Sequence, residues 1–181
     1  MSAVAALSPF ELLAYYERRC LAHAAAQPEH ADAPGLWRGI GFRVGSRTFV
    51  SGIDEINELL APPTLTPVPG TQAWLMGVAN VRGNLVPVVD FGRFLFNART
   101  VPTERTRLLL IRQQNGSVGL LVDEVFGQRL VDDTQRRDAT PETDPRLARF
   151  VDENVAVGEQ TFARLSMTRL VRAPDFRQAA I

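Results

Sequence analysis

The chain has 181 residues, of which 45% are apolar and 22% are charged, as is usual for a soluble globular protein with one domain or two small ones. Its 20 basic residues balance its 20 acidic ones, so it lacks the broad positive field that nucleic-acid binding requires. Every basic residue is an arginine, which excludes Schiff-base lysines and the lysine of a phosphate-binding P-loop.

The N-terminal segment predicts a helix that runs from Ser8 to about Ala26. Ser8, Pro9 and Glu11 form the start of a capping box, with the proline where its missing N–H is harmless. One face of this helix is largely apolar and consists of Phe10, Leu13, Ala14, Glu17, Cys20, Leu21 and Ala24. The face either packs on the body of the protein or docks a partner, and residues 27–35 follow as a linker.

The N-terminal sequence also indicates the cellular compartment in which the protein is expected. It has no basic region of the kind that begins a secretion signal, and no run approaches the roughly 18 apolar residues of a membrane span. Cys20 is the only cysteine, so no internal disulfide can form. These features predict a cytoplasmic protein that is neither secreted nor membrane-embedded.

From Trp37 onward the apolar period is two, which predicts a β-hairpin over residues 37–51 that turns at Gly45 and Ser46. The apolar residues of segment 53–60 have helix-like spacing, but the segment is too short to decide its type. Four prolines in residues 61–70 then enforce an extended chain. Strand resumes at Trp74.

The stretch GVANVRGNLVPVVDF, residues 77–91, predicts two buried strands that meet at a turn. The turn is Arg82-Gly83-Asn84, between strands 75–81 and 85–91. Pro87 cannot donate a ladder hydrogen bond, so it is expected at a sheet edge or near a strand end.

The second half repeats the hairpin pattern. Apolar runs at 108–113 and 117–122 are joined through Asn115-Gly116, a strong hairpin signal. The tetrapeptide Ile-Asp-Glu-Ile at 53–56 and Val-Asp-Glu-Val at 122–125 each follow a hairpin, which suggests two related β modules. The many short strands predict small β-barrels or a sandwich.

Towards the C-terminus, the charged stretch 132–149 is expected to be a loop with little regular structure. A further hairpin is predicted at residues 155–162 around Gly158-Glu159. Ser166 is a candidate cap for a short C-terminal helix that carries Leu170 and Val171.

No pattern in the sequence predicts catalysis or a metal site. The two histidines, His23 and His30, lie away from any carboxylate cluster with ligand spacing. The paired acids, such as Asp54-Glu55 and residues 123–124, would point to opposite faces of a strand and are expected at the solvated surface. Gly-rich phosphate loops are absent.

Residues 77–91 resemble the signature of CheW-type chemotaxis coupling proteins, with Asn-x-Arg-Gly followed by apolar-apolar-Pro-x-x-Asp. The hairpins come in the order of that family, and the resemblance covers residues 36–171. The capped "FELL…ERR" helix and the strand after it are most similar to the PilI type, from the chemosensory system of type IV pili and twitching motility. The N-terminal extension and the charged loop at 132–149 depart from the wider family.

The resemblance implies a mainly β fold: two small SH3-like β-barrels around a shared core, plus an N-terminal helix and a short C-terminal helix. Residues 1–35 would be the helix and linker, and 36–181 the CheW-like domain. It also implies no enzymatic activity and no cofactor or metal. The expected role is to couple the cytoplasmic tip of a methyl-accepting chemoreceptor to the regulatory domain of a CheA-type histidine kinase, in membrane receptor arrays.

The resemblance further implies positions that contact the receptor or kinase. These are Ile56, Glu58, Arg82, Gly83, Val122 and Val125. A guanidinium at Arg82 offers five fixed donors to carboxylates or carbonyls of a receptor helix, and Gly83 permits the tight turn that projects it. Asn80 and Asp90 are expected to bond to nearby backbone at turns.

Three alternatives stay open at this point. The same scaffold could serve a flagellar or another chemosensory pathway. A small hydrolase with an unrecognised site would need a buried polar pocket with convergent titratable groups. An oligonucleotide-binding barrel would need a basic face with exposed aromatics, whereas Phe42, Phe49 and Phe91 sit within apolar runs.

Overall fold

The computed structural model describes residues 8–22, 35–113, 116–138 and 144–180. The chain divides into two units, Met1–Pro34 and Gly35–Ile181. Among the described residues, no helix has both the length and the apolar character needed to cross a membrane.

The helix of the first unit, α1, spans Pro9–Ala22. Its predicted cap is confirmed, because the Ser8 N–H donates to Glu11 Oε2 at 2.8 Å and the Glu11 N–H donates to Ser8 Oγ at 3.4 Å. The side chains of Phe10 and Leu13, on the apolar face, are largely exposed. The predicted continuation to residue 26, both histidines and nearly all of the linker fall outside the described residues.

The second unit is mainly β, as predicted. Its strands are β1 (Leu36–Val44), β2 (Arg47–Gly52), β3 (Ile56–Leu60), β4 (Leu75–Val81), β5 (Asn84–Asp90), β6 (Arg107–Gln113), β7 (Gly116–Val122), β8 (Glu124–Asp132), β9 (Arg136–Asp138), β10 (Val151–Val157) and β11 (Gln160–Leu165). Its helices are α2 (Phe91–Phe96), α3 (Pro145–Ala148), α4 (Met167–Arg172) and α5 (Pro174–Arg177).

The strands form two sheets. The first has six strands in the order β8-β1-β2-β11-β10-β9, and the second has five in the order β3-β6-β7-β5-β4. Neighbouring strands are antiparallel except for one pair in each sheet, β2–β11 and β5–β7. Two sheets of this size fit the predicted pair of small barrels.

The predicted hairpins are confirmed. β1 and β2 meet at Gly45-Ser46, where Gly45 has φ +60°, and β10 and β11 meet at Gly158-Glu159, where Gly158 has φ +62°. Glycine suits both turns because a left-handed backbone costs it little. β6 and β7 also pair as predicted, although Asn115 of their turn lies outside the described residues.

The structure decides one segment that the sequence left open and contradicts the expectation for another. Segment 53–60, which was undecided, contains strand β3, because Ile56 and its neighbours pair with β6. The stretch 132–149 was expected to be irregular, yet its described part contains a 3₁₀ turn, strand β9 and helix α3. Asp132 and Asp144 cap the two helical pieces, and Leu147 is fully buried. Local caps and one apolar anchor thus order a charged sequence.

A single large core lies between the two sheets. It draws Phe42 and Leu165 from the first sheet, Leu120 from the second, and Leu170 from α4. Burial of each such side chain contributes about 1.5–3 kcal/mol relative to exposure. The predicted shared core is therefore present, and the short C-terminal helix that begins after Ser166 helps to fill it.

Asp90, the last residue of β5, joins this strand to helix α2 and to the loop that follows the helix. Its carboxylate accepts hydrogen bonds from the N–H of Arg93 at 3.1 Å, from the N–H of Thr100 at 3.0 Å and from the Thr100 hydroxyl at 2.7 Å. Only 2% of Asp90 is exposed. The residue therefore caps α2 and holds the following loop, as the sequence predicted.

We expect Asp90→Ala to lower the free energy of unfolding by about 2–4 kcal/mol, because it leaves interior donors of Thr100 and Arg93 without an acceptor. Urea denaturation monitored by circular dichroism measures this. Glu159→Ala, in an exposed turn, is the control and should change stability by no more than about 0.5 kcal/mol. Equal effects of the two substitutions would contradict the assigned role of Asp90.

The capping box of α1 changes the pKa of its acidic member, Glu11. The hydrogen bond from the Ser8 backbone, and secondly that from its hydroxyl, lower the pKa of Glu11. The cap is therefore fully formed above the ordinary carboxyl pKa and is lost as pH falls through the lowered value.

In Ser8→Ala the Glu11 pKa should return part of the way to its ordinary value, since only the backbone donor remains. An NMR titration of the side-chain carboxyl measures it. Asp132, whose pKa is lowered by the N–H and hydroxyl of Thr134, is the internal control and should not change. An unaltered Glu11 pKa would show that the Ser8 hydroxyl does not donate to the Glu11 carboxylate.

Candidate partner-binding site

The turn between β4 and β5 has an unusual backbone. Arg82 has φ +51° and Gly83 has φ +85°, so both residues are left-handed, as a two-residue hairpin turn of type I′ requires. This conformation is uncommon for a residue with a side chain. The Gly83 N–H donates to Asn80 Oδ1 at 2.8 Å, which helps to hold the turn. The expected structural role of Asn80 is thus present.

Arg82 and Glu58 contact each other. Arg82 Nη2 lies 2.5 Å from Glu58 Oε1. Glu58 belongs to β3, one edge of the second sheet, and Arg82 follows β4, the other edge. Leu60, two residues after Glu58 in β3, packs against Val81, Val86 and Leu110, and Val81 directly precedes Arg82. The two edges therefore meet through side chains, by an ion pair and by a neighbouring apolar contact.

The two members of the pair differ in exposure. The Arg82 side chain is 76% exposed, whereas that of Glu58 is 23% exposed. Of the five donors of the guanidinium, one is used by Glu58, and no other described residue accepts a hydrogen bond from the side chain. Leu85, three residues further on, is also largely exposed. The hairpin tip thus presents unsatisfied donors beside an apolar side chain.

Pro87 marks the point at which the β4–β5 hairpin leaves the rest of the second sheet. The expectation that Pro87 lies at a sheet edge or near a strand end was wrong, because β5 lies between β7 and β4 and Pro87 is in the middle of this strand. Its ladder with β7 begins only at Val88, whereas Pro87 pairs with Val78 of β4 alone. The missing N–H thus falls where β5 has no partner on its second side. The hairpin extends beyond the sheet from that point.

The remaining predicted contact residues lie elsewhere. Ile56 and Val122 are in the large core, with 8% and 0% of their surface exposed. Val125 is partly buried against the same core and pairs with Phe42 in the first sheet. The structure brings together Glu58, Arg82 and Gly83 and places these three valine and isoleucine side chains in packing positions.

Sequence reasoning missed the contact between Glu58 and Arg82. The two residues are 24 positions apart, and they meet only because β3 and β4 end up at opposite edges of a curved sheet. Exposed Leu85 was also missed, since it stands in an apolar run typical of core. Among the described residues, no group of three or more His, Cys, Asp or Glu could hold a metal ion.

Comparison with characterised proteins gives several similar chains. Protein PilI of Pseudomonas aeruginosa is 41% identical over 122 residues, which is 67% of this chain and 68% of that protein. Chemotaxis protein CheW of Rhizobium meliloti is 36% identical over 105 residues, or 58% of this chain and 66% of that one.

Among solved structures, the scaffolding protein TtCheW from Thermoanaerobacter tengcongensis superposes with a TM-score of 0.62. The superposition covers 71% of this chain and 88% of TtCheW at 20% sequence identity, and so supports the fold alone. The family model described as CheW-like domain matches residues 38–175, which include both sheets and the hairpin of Arg82. This chain belongs to the CheW-like domain family.

Proposed function

We propose that this protein is a non-catalytic signalling adaptor that couples a methyl-accepting chemoreceptor to a CheA-type histidine kinase. The observation that carries the proposal is the exposed Arg82 on a projecting hairpin of a CheW-like domain, held by Glu58. An adaptor needs a rigid surface that a partner can recognise, and this tip is fixed by its turn geometry and by an ion pair.

The free donors of Arg82 suit carboxylates or backbone carbonyls on a receptor helix. Gly83 is exposed, and a Cβ added there would meet nothing within 4 Å, so a partner can approach the backbone closely. Ile56 and Val122 are buried, so in this proposal they shape the contact surface through packing. Val125, which is partly exposed, contributes directly at the first sheet.

The output we propose is control of type IV pilus twitching motility. Similarity to protein PilI over two thirds of the chain supports it, together with the capped N-terminal helix. A flagellar or other chemosensory pathway is the alternative, because chemotaxis proteins named CheW are also similar. We place the protein in the cytoplasm, recruited to receptor arrays, with residues 1–35 as a separate helix and linker ahead of the domain 36–181.

We expect Arg82→Glu to reduce capture of the receptor's cytoplasmic fragment by about tenfold or more, because it removes the donors and sets two carboxylates together. The free energy of unfolding should change by about 1 kcal/mol or less, since the Arg82 side chain is 76% exposed. Pull-down with the cognate receptor fragment and kinase measures capture, and Arg99→Glu, on an exposed loop, is the matched control.

A charge swap separates the two roles of the pair. Glu58→Arg combined with Arg82→Glu restores an ion pair between the sheet edges but reverses the charge shown to the partner. Receptor capture should stay low in the swapped protein. Full recovery of receptor capture would mean that the ion pair only holds the two sheet edges together and does not contact the partner. Failure of the unsubstituted protein to bind either receptor or kinase would refute the adaptor function.

A further inference from the structure

A small pocket of the second unit carries positive charge that no described carboxylate neutralises. Its volume is about 440 Å³, which is typical of sites for small organic molecules. Arg93 of α2 and Arg146 of α3 both line it. Neither guanidinium forms an ion pair or a hydrogen bond with any residue that the structure describes. Both therefore have donors to offer to an anion that enters the pocket.

The acidic side chain in the lining of this pocket is already engaged. It belongs to Asp175, which forms an ion pair with Arg149. Arg149 also donates from Nε to the carbonyl oxygen of Arg146 at 3.1 Å. The carboxylate of Asp144, which caps α3, accepts a hydrogen bond from the backbone N–H of Arg146 at 2.9 Å. The two acids thus bind neighbouring groups, and the Arg146 guanidinium stays unpaired.

Amide side chains complete the polar lining of the pocket. They belong to Gln72 before β4, Asn97 after α2 and Gln178 after α5, and none of them makes a side-chain hydrogen bond within the described part of the chain. Each amide carries two N–H donors. Trp74, which is partly buried, supplies an apolar surface beside them. Donors therefore outnumber acceptors in this pocket, which suits an anionic ligand.

The walls of the pocket are held in place by the protein itself. The carbonyl oxygen of Arg93 accepts a hydrogen bond from the Asn97 N–H at 3.0 Å, which closes the end of α2. The Trp74 ring stacks on Phe176 of α5 and meets Phe94 edge-on, with centroid distances of 5.9 Å and 5.4 Å. A ligand that enters a fixed pocket avoids the entropy cost of ordering its walls, and this favours affinity.

We propose that this pocket binds a small organic dianion whose charged groups are carboxylates or a phosphate. The planar fork of arginine binds the oxygens of both groups through paired hydrogen bonds. The guanidiniums of Arg93 and Arg146 match two negative charges, and the carbon skeleton of the ligand would contact Trp74. Arg82 does not line the pocket, so the proposal is independent of the adaptor function.

The test uses the full-length protein with Trp37→Phe, which leaves Trp74 as the single tryptophan and its fluorescence as a reporter of the pocket. The probes are succinate, a dicarboxylate, and glycerol 3-phosphate. Both are titrated at constant ionic strength, so that screening of charge does not vary. At least one probe should change the Trp74 emission in a saturable way, and the ratio of the two affinities shows whether carboxylate or phosphate is preferred.

Arg93→Gln and Arg146→Gln should each weaken binding of the better probe by about tenfold, since each removes charge-assisted hydrogen bonds. Arg99→Gln is the matched control, because Arg99 is an exposed arginine shortly after α2 that does not line the pocket. It should leave the affinity unchanged. Arg146 is exposed, so its substitution keeps the test valid even if Arg93→Gln proves unstable in thermal unfolding.

A neutral ligand provides the second control. Succinamide, which has the carbon skeleton of succinate without its charge, should bind at least about tenfold more weakly than succinate. Amide shifts in α2, α3 and α5 in the NMR spectrum of the complex would support the proposal. It is overturned if neither probe binds with a Kd below about 10 mM, if the Arg146→Gln and Arg99→Gln proteins bind equally well, or if succinamide binds as tightly as succinate.

Discussion

The two edge strands of the second sheet, β3 and β4, contact each other through side chains and not through backbone hydrogen bonds. Edge strands leave N–H and C=O groups unpaired and invite association with other chains. Here Leu60 of β3 packs against Val81 and Val86, and Glu58 and Arg82, which lie close to them in the sequence, form an ion pair. The two edges of the sheet therefore meet through side chains.

The signature stretch around Arg82 has a physical function at each polar or special position. Asn80 holds the turn, Gly83 accepts its left-handed backbone, and Pro87 stands where β5 has no second partner. Asp90 anchors the end of the strand to α2 and to the loop that follows. These restraints fix the base of the hairpin, so that the exposed guanidinium of Arg82 is presented by a rigid support.

The sequence predicted elements whose determinants are local and missed those set by distant contacts. Glycines at turns such as Gly45 and Gly158 mark hairpins directly, because the backbone there requires positive φ. Strand β3 has helix-like spacing and is a strand only because it pairs with β6. At the candidate site, Arg82 and Gly83 stood out by their place in an apolar run, but their neighbour Glu58 could not be deduced from spacing. The burial of Val122 likewise depends on both sheets at once.

The zero net charge of the chain conceals two surfaces with different electrostatics. At the hairpin tip, Arg82 can keep its contact with Glu58 and offer a partner the guanidinium donors that this contact leaves free. Along β6, α4 and α5, the side chains of Arg112, Arg172 and Arg177 form no ion pair with any residue that the structure describes. Unpaired charge of this kind accelerates encounter with an oppositely charged partner, and it is screened by salt.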